Sequence, residues 1–340
     1  MTAPRPIEIV GGGLAGLSLG AALCRAGVPV KLFEAGDYPR HRVCGEFITG
    51  LTSATIAKLG LAPVLADALR HSEVAWFRHE KPVRIQHLPS PALGLSRFAL
   101  DARLAQAFTA AGGELHPHTR VTDSAAAPGR VFATGRRRSR SSWLGLKIHA
   151  PGLPLSRDLE LHLGDQSYVG LSRVEDDRVN VCGLFRRREL CARGPDLILA
   201  YLQAAGLAAL ADRLASARLD PASFCAVAAV GFDRRFPPAD RVQVGDAGAM
   251  IPPFTGNGMA MAFQGAEIAL DPLLAYARGE TAWAAARREI DARLRQRFQL
   301  RLASAALLHP YFLQPRRQRW LAGLTQARLL PLRPLYALLH

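Results

Sequence analysis

The sequence predicts an α/β protein: a Rossmann-like domain, a second domain built on an antiparallel β-sheet, and a helical C-terminal tail. Three observations predict it. A β-branched run, Ile7–Val10, leads into Gly11-x-Gly13-x-x-Gly16, an apolar stretch to Ala26, and a second run, Val30–Phe33, that ends on Glu34. A second glycine-rich stretch, Arg241–Leu270, follows a short apolar run and opens on Gly245-Asp246. Between them, Leu144–Leu163 and Tyr168–Phe185 alternate apolar and polar residues with the period of two expected of half-buried strands.

A chain of 340 residues is long enough for a large core and two domains. At 49% hydrophobic and 21% charged it has the composition of a globular protein and not of a disordered one. The net charge of +15 raises nucleic acid as a partner. However, 39 of the 43 basic residues are arginines scattered over the chain, without the basic clusters around aromatics that mark a recognition element, so nucleic acid is not expected. The tail is the exception: no acidic residue follows Asp291, and nine arginines fall between Arg293 and Arg333. The five cysteines (Cys24, Cys44, Cys182, Cys191, Cys225) are odd in number and show neither a CxxC pair nor metal-ligand spacing. That pattern indicates a reducing compartment, with no disulfide framework and no metal site. A strand beginning at Ile7 leaves no room for a cleavable leader, and the longest uncharged run, Ala247–Ala266, is interrupted by Pro252, Pro253 and glycines. The expected location is cytoplasmic.

The elements follow in order. Ile7–Val10 is a strand, the stretch to Ala26 a helix stopped by Gly27 and Pro29, and Val30–Phe33 a second strand. Ala35–Arg40 is a Gly/Asp/Pro loop followed by basic residues. Leu51–Leu69 has helical periodicity broken at Gly60 and Pro63, and Glu73–Leu88 alternates as strands. Phe98–Ala111 is an amphipathic helix closed by Gly112-Gly113. Glu114–Val121 and the run from Arg130 are strands, and Arg136–Arg140 is a basic exposed run. Asp176-Asp177 turns between strands of the second sheet. Leu197–Ala217 is helical with a break near Gly206, Pro221–Val230 a further strand, and Val242–Val244 a strand ending in Gly245-Asp246. A Pro/Gly loop, Ile251–Gly258, precedes a long helix of small residues from Met259.

The chemistry lies in the two glycine-rich stretches. In the first, Gly11 permits a tight turn, Gly13 lets the backbone approach a pyrophosphate, and Gly16 lets helix and strand pack closely; Leu14 and Ala15 begin the helix between them. The helix start offers free N–H groups to phosphate, and Glu34 is placed to accept hydrogen bonds from a ribose. This stretch alone leaves NAD and FAD open. In the second, an acid after a strand suits a sugar-like hydroxyl, and a glycine loop at a helix start aims N–H groups at an electron-rich ring edge. Two such motifs so far apart suit one long bipartite cofactor, and FAD is such a molecule.

With these motifs the chain resembles the FAD-dependent oxidoreductases of the para-hydroxybenzoate hydroxylase-like fold, a group that includes aromatic monooxygenases, flavin halogenases and geranylgeranyl reductases. The resemblance covers residues 5 to 285 and is nearest to the geranylgeranyl reductase branch. It implies a GR2-type FAD-binding domain (1–75, 95–140 and 233–285), an antiparallel β-sheet substrate domain (76–94 and 141–232) and a basic helical C-terminal region (286–340). It implies that Gly11, Gly13, Leu14, Ala15, Gly16 and Glu34 hold the ADP half of FAD. Arg42 would sit near the ribose and phosphates, and Arg97 near the flavin's linker. Ala133-Thr134-Gly135 would close the site, with Gly245 and Asp246 at the ribityl chain. Pro253, Gly256, Asn257 and Gly258 would line the isoalloxazine.

Departures from the group's patterns carry the functional expectations. The region of the Asp-Gly motif that serves FAD and NADPH together in the hydroxylases reads Ala-Thr-Gly here, which leaves NAD(P)H as a candidate electron donor without a dedicated motif. Trp143 has no tryptophan two residues on, so the halogenase signature is absent. Cys44-Gly45-Glu46 resembles a cysteine-glycine element near the flavin in the reductase branch, which makes Cys44 and Glu46 the candidate catalytic residues. His149 is a candidate pocket residue, whereas His41 reads as a surface residue and His116 with His118 lacks a third metal ligand. The expected activity is a monooxygenase acting on an apolar organic substrate. The alternatives are an oxygen-independent reductase or dehydrogenase acting on a lipid-like substrate, and a non-catalytic flavin-binding redox sensor or carrier. The expected state is a monomer or homodimer. The tail from Phe298, with Trp320 among Arg316, Arg317, Arg319, Arg328 and Arg333, reads either as a solvated cap or as a peripheral membrane contact.

Overall fold

A computed structural model describes residues 3–339 except 80, 123–124, 137–138, 233–239 and 328, and only the backbone of Leu332 and Arg333. Arg137 and Arg138 of the basic run, the start of the segment expected over 233–285, Arg328 and the side chain of Arg333 therefore lie outside the described residues.

Two sheets organise the chain. The first is parallel and contains β1 (Ile7–Val10), β2 (Val30–Phe33), β6 (Glu114–His116), β7 (Arg130–Phe132) and β13 (Val242–Gln243), in the order β13-β7-β1-β2-β6. Its strands are short apolar runs because helices cover it. α1 (Leu14–Arg25) packs on β1 and β2 and against α3 (Arg97–Ala110) and α6 (Gly258–Ala277). Close helix packing follows from glycine: a Cβ at Gly20 of α1 would lie 2.8 Å from the Phe108 ring of α3. Ser96 caps α3 by accepting the Ala99 N–H at 3.1 Å, and Gly112, at φ 87°, ends it. The expected strand over Glu114–Val121 stops at His116, because the chain turns at Pro117 and His118 takes φ 54°. The helix expected over Leu51–Leu69 shortens to α2 (Ser53–Lys58), which Gly60 closes at φ 58°.

The second sheet has eight strands in the order β12-β8-β11-β10-β9-β4-β5-β3. It takes in β3 (Phe47–Ile48), β4 (Leu69–Arg78) and the long β5 (Lys81–Gly94), then β8 (Trp143–Pro151), β9 (Leu159–Gly164), β10 (Ser167–Val174), β11 (Arg178–Arg186) and β12 (Asp220–Ala228). Its pairings are antiparallel except β4 with β9, which run parallel, so the sheet is mixed where the sequence predicts an antiparallel one. Two hairpin systems, β4–β5 and β8–β11, meet at that edge, and the join sets the direction. One face is apolar: Leu144, Leu146, Ile148, Val169, Leu171, Val179 and Val181 pack on α4 (Asp196–Ala204) and α5 (Ala208–Ala215) through Ile198, Leu202, Leu210 and Leu214. The opposite parity faces the first sheet and carries the polar residues of the site.

After α6, α7 (Trp283–Leu313) runs along the molecule, followed by α8 (Pro315–Gln326) and α9 (Leu332–Leu339). Ile290, Leu294, Phe298 and Leu302 bury one side of α7 in the core of the parallel-sheet domain. Farther along, Phe312 and Leu313 pack with Tyr168 and Leu184 of the second sheet and with Val230, two residues beyond its last strand.

Candidate functional site

The C-terminal ends of β1, β2, β7 and β13 open along one edge of the parallel sheet, the edge at which doubly wound folds bind ligands. Gly11 follows β1 at φ 111°, a conformation that disfavours any side chain, and a Cβ there would lie 2.3 Å from the Ala133 carbonyl oxygen. A Cβ at Gly16 would lie 2.0 Å from the Gly11 oxygen, whereas one at Gly13 would meet nothing within 4 Å. Gly11 and Gly16 are thus demanded by the chain's own packing, and Gly13 faces open space. The first helical hydrogen bond of α1 runs from Leu17 N to Gly13 O, which leaves the N–H groups of Leu14, Ala15 and Gly16 without intrahelical acceptors and directed at that space.

Glu34 sits where expected, buried at the end of β2, but much of its acceptor capacity serves the chain. Its Oε2 accepts the Gly12 N–H at 2.8 Å; Oε1 accepts the Gly36 N–H at 3.0 Å and Arg40 at 2.6 Å. Burial pushes its carboxyl up, yet Arg40 and the two backbone donors hold it below the usual carboxylate range. A carboxylate offers about four lone-pair sites, so one remains for a ribose hydroxyl. Asp101, fully buried on α3, receives Arg97 in a bidentate pair (2.8 and 2.8 Å) and Arg42 Nε at 2.9 Å. Arg42 Nη2 also lies 3.9 Å from Glu34 Oε2, so Arg40, Arg42 and Arg97 together face two carboxylates and leave one positive charge over. The buried Arg42 Nη2 has no hydrogen-bond partner among the described residues, the signature expected of a phosphate seat.

The second motif lies on the same edge. Gly245, at φ 63°, turns the chain after β13 so closely over α1 that a Cβ would approach Ala15 to 3.1 Å. Asp246 is exposed to solvent, with the positive charges of Arg97 and Arg136 acting on its carboxyl. Ala133 is tied to β1 by its N–H on the Val10 oxygen at 2.7 Å; Thr134 is exposed beside it, and Gly135 follows at φ 74°. Pro253–Thr255 forms one tight helical turn that ends on Gly256 at φ 69°, and α6 begins at Gly258. The first bond of α6 is Met261 N to Asn257 O, so the N–H groups of Gly258, Met259 and Ala260 are free of it. The Asn257 side chain is buried and donates to the Leu339 carbonyl of α9.

Cys44 and Glu46 belong to the segment that joins the two sheets. Ser172 Oγ donates to the Gly45 carbonyl at 2.8 Å and Asn180 Nδ2 to the Cys44 carbonyl at 2.9 Å, while Thr49 Oγ1 lies 3.3 Å from the Gly256 oxygen. Burial pushes the Cys44 thiol up, with Arg97 opposing, which disfavours a thiolate nucleophile. Glu46 is wholly buried, at φ 56°, a left-handed conformation that costs a non-glycine residue about 1–3 kcal/mol and persists where surrounding contacts enforce it. The sequence places a loop-end carboxylate there, which in general is solvated; the fold instead encloses it. His149 Nε2 donates to its Oε2 at 2.6 Å, while the Arg97 N–H at 3.1 Å and Lys147 Nζ at 3.3 Å serve Oε1. Lys147 also donates to His41 Nδ1 at 3.0 Å. Burial pushes the Glu46 carboxyl up, but His149 and Lys147 lower it below its ordinary value. Burial, with Lys147 beside it, takes the His41 imidazole down to about 4, so His41 is a neutral partner in the cluster and not the surface residue the sequence suggests.

His41, Glu46 and His149 bring ligand atoms within 4.8 Å of one another, a spacing a divalent ion can use. The Lys147 ammonium stands beside two of the three, 3.0 Å from His41 and 3.3 Å from Glu46, and supplies the compensating positive charge itself. What the arrangement offers chemically is proton exchange between a carboxylate, an amine and two imidazoles in a dry setting. His149 Nδ1 is buried without a hydrogen-bond partner among the described residues. Between Tyr168, whose hydroxyl accepts the Phe254 N–H at 3.2 Å, and Ser172 lies Gly170, where a Cβ would meet nothing closer than 3.9 Å. Gly170 shares the parity of Tyr168 and Ser172, so this bare patch faces the same side as Lys147, His149 and Cys182.

Comparisons with known proteins agree with this architecture. Residues 9–44 match the model of the NAD(P)-binding Rossmann-like domain. A menaquinone reductase of Mycolicibacterium smegmatis is 28% identical over 121 residues, 34% of this chain and 30% of that protein, so the match spans less than a third of the relative's length. The p-nitrophenol 4-monooxygenase PnpA of Pseudomonas putida superposes with a TM-score of 0.77 over 100% of this chain and 97% of its own, at 13% identity. HpxO of Klebsiella pneumoniae, complexed with FAD and uric acid, gives 0.76 over 98% and 96%, at 16% identity. The chain has the para-hydroxybenzoate hydroxylase-like fold. In that fold the two glycine-rich stretches lie on one edge and the second sheet stands over them. The sequence did not reveal Lys147, or His41 as its partner. The available signal was a lysine and a histidine two apart in Leu-Gly-Leu-Lys-Ile-His-Ala, charges on the polar parity of a strand whose other parity is entirely core.

Proposed function

We propose that the chain is an FAD-dependent oxidoreductase, specifically a monooxygenase acting on an apolar organic substrate. The observation that carries the proposal is the pair of cradles on one edge. A single glycine turn suits any dinucleotide, whereas a second helix start with its own acid, Asp246, suits the far end of a longer cofactor. When bound, FAD supplies two-electron redox chemistry that no side chain here offers. The chain binds and orients. The N–H groups of Leu14, Ala15 and Gly16, with Arg42 and Arg97, take the phosphates; Glu34 and Asp246 take hydroxyls. The start of α6, with Pro253 and Gly256–Gly258, sets partial positive charge against the ring edge. The bare sheet at Gly170 gives an apolar substrate a floor. Glu46, with Lys147 and His149, holds a proton-exchanging group beside it. NAD(P)H is the candidate electron donor.

A second reading, an oxygen-independent reductase of a lipid-like substrate, is supported by the likeness to the menaquinone reductases and by the buried cluster, since adding hydride to an organic acceptor calls for a proton from the protein. The test is an absorption spectrum of the purified protein followed by anaerobic mixing with NADPH or NADH. A flavin that bleaches and recovers with oxygen supports the monooxygenase. A flavin indifferent to both donors supports the reductase fed by another partner. Absence of flavin after reconstitution with FAD rejects both.

A further inference from the structure

Helices α7–α9 expose what the rest of the surface covers. Seven large hydrophobic residues are exposed among the described residues, and five of them (Leu300, Leu307, Trp320, Leu329, Leu338) lie in the last forty-one positions of the chain, so this is a patch and not a scatter. On α7, Arg293, Arg297, Leu300 and Leu307 are exposed and spaced by four, three and seven residues, which aligns them as one stripe beside the buried row of Ile290, Leu294 and Phe298. On α8, Arg316, Arg317, Arg319 and Trp320 are exposed while Leu321, Ala322 and Thr325 are buried. Tyr311 sits between the helices, with the Arg317 guanidinium 5.3 Å from its ring centre and the Trp320 ring 5.7 Å away. No acidic residue follows Asp291, and Arg297, Arg316, Arg317 and Arg319 make no ion pair among the described residues.

We infer that this face docks on an anionic lipid bilayer. Exposed leucines beside tryptophan and arginine are the chemistry of an interface at which apolar groups enter the acyl boundary and guanidinium groups remain at the phosphates. No described helix is long and apolar enough to cross the membrane, so the helices lie on the surface. A second copy of the chain fits the face poorly, because an isologous contact would set arginine against arginine without an acid to separate them. A nucleic acid would satisfy the arginines and leave the leucines in water.

The face is also joined to the candidate site. α9 packs on α7, the Leu339 carbonyl accepts from Asn257 at the start of α6, and the Tyr336 hydroxyl lies 3.3 Å from Ser90 Oγ of β5. A substrate dissolved in the bilayer therefore meets the site beside α9. This last step rests on the flavoenzyme reading; the docking surface does not.

The test is co-sedimentation of the full chain with phosphatidylcholine vesicles, with and without phosphatidylglycerol. The expected result is sedimentation with the anionic vesicles alone, weakened at about 0.5 M salt, where charges are screened within a few ångströms. Leu300→Asp with Leu307→Asp and Trp320→Asp should lower the apparent affinity at least about tenfold, as should Arg316→Gln with Arg317→Gln and Arg319→Gln. All six positions are exposed and lie outside the cradle, so flavin content should not change. Equal sedimentation by the wild type and both variants overturns the proposal, as does binding to neutral vesicles alone. A dimer that the leucine variant dissociates, or retention on RNA in place of vesicles, overturns it as well. Anionic vesicle binding by a protein that takes up no FAD upholds the surface and removes only the substrate route.

Discussion

The nucleotide cradle and the cluster around Glu46 are built in opposite ways. The cradle is backbone: its selectivity comes from atoms that are missing at Gly11, Gly13 and Gly16 and from N–H groups at a helix start, all within one short stretch. The cluster is side chain: His41 and Glu46 come from the segment joining the sheets, Lys147 and His149 from β8, and they meet over about 3 Å contacts, with Glu46, Lys147 and His149 fully buried and His41 partly so. The first fails when something is added, the second when something is removed.

That contrast breaks first at Lys147. Lys147→Met keeps most of the volume but removes the ammonium beside the buried Glu46 carboxylate and leaves it only the His149 and Arg97 N–H donors, a change expected to cost about 3 kcal/mol. Adding Glu46→Gln should recover part of the loss, a coupling of about 0.5–3 kcal/mol in a double-mutant cycle followed by urea unfolding. Strict additivity would mean that the two residues do not act as a unit. Next come the glycines. Gly16→Ala forces a Cβ against the Gly11 carbonyl and should destabilise by about 2–4 kcal/mol. Gly13→Ala meets open space, should stay within about 1 kcal/mol of wild type, and should still lose flavin. If Gly13→Ala retains FAD as the wild type does, the open space is not the cofactor's.

Gly170→Leu sharpens the comparison on the sheet itself. It fills the bare patch without touching the cradle, so turnover should fall at least about tenfold with flavin content unchanged. Equal turnover would place the substrate elsewhere. The smallest effect is in the pH dependence of stability. His41 and His309 are both held down to about 4, mainly by burial, against an ordinary value of 6.5. Between those values the unfolded chain binds more protons than the folded one, so stability is complete above pH 6.5 and falls as the pH drops towards 4. Melting temperatures across that window should fall less steeply in His41→Gln with His309→Gln; an unchanged slope would assign the acid sensitivity to other groups.

The sequence made the cradle legible because each of its requirements is local. A strand, three glycines at fixed offsets, a helix and an acid form one continuous pattern, and Gly245-Asp246 repeats the logic. The order of the second sheet was less legible: alternation identifies β8–β11 but not the parallel contact between β4 and β9, which depends on where the two hairpin systems meet. Glu46 was legible as a candidate and not as a buried ion, because its neighbours come from about a hundred residues away, as with His149. The left-handed backbone at Glu46 has no signature in residue type, since that region favours glycine or asparagine.

The order of strands has a consequence for how this molecule is made. The chain passes between the two sheets four times: after β2, after β5, after β7 and after β12. β1 has one neighbour available early, in β2, but its other neighbour β7 begins at Arg130, and the sheet edge is completed only by Val242–Gln243. Neither sheet is therefore a contiguous length of chain that can be cut out or exchanged, and the first is completed only after the last strand of the second has been made. Such interlacing ties completion of the first sheet to the synthesis of Gln243, at the slow pace that distant pairings impose. New specificities must arise here by altering residues in place, because there is no separable module to replace.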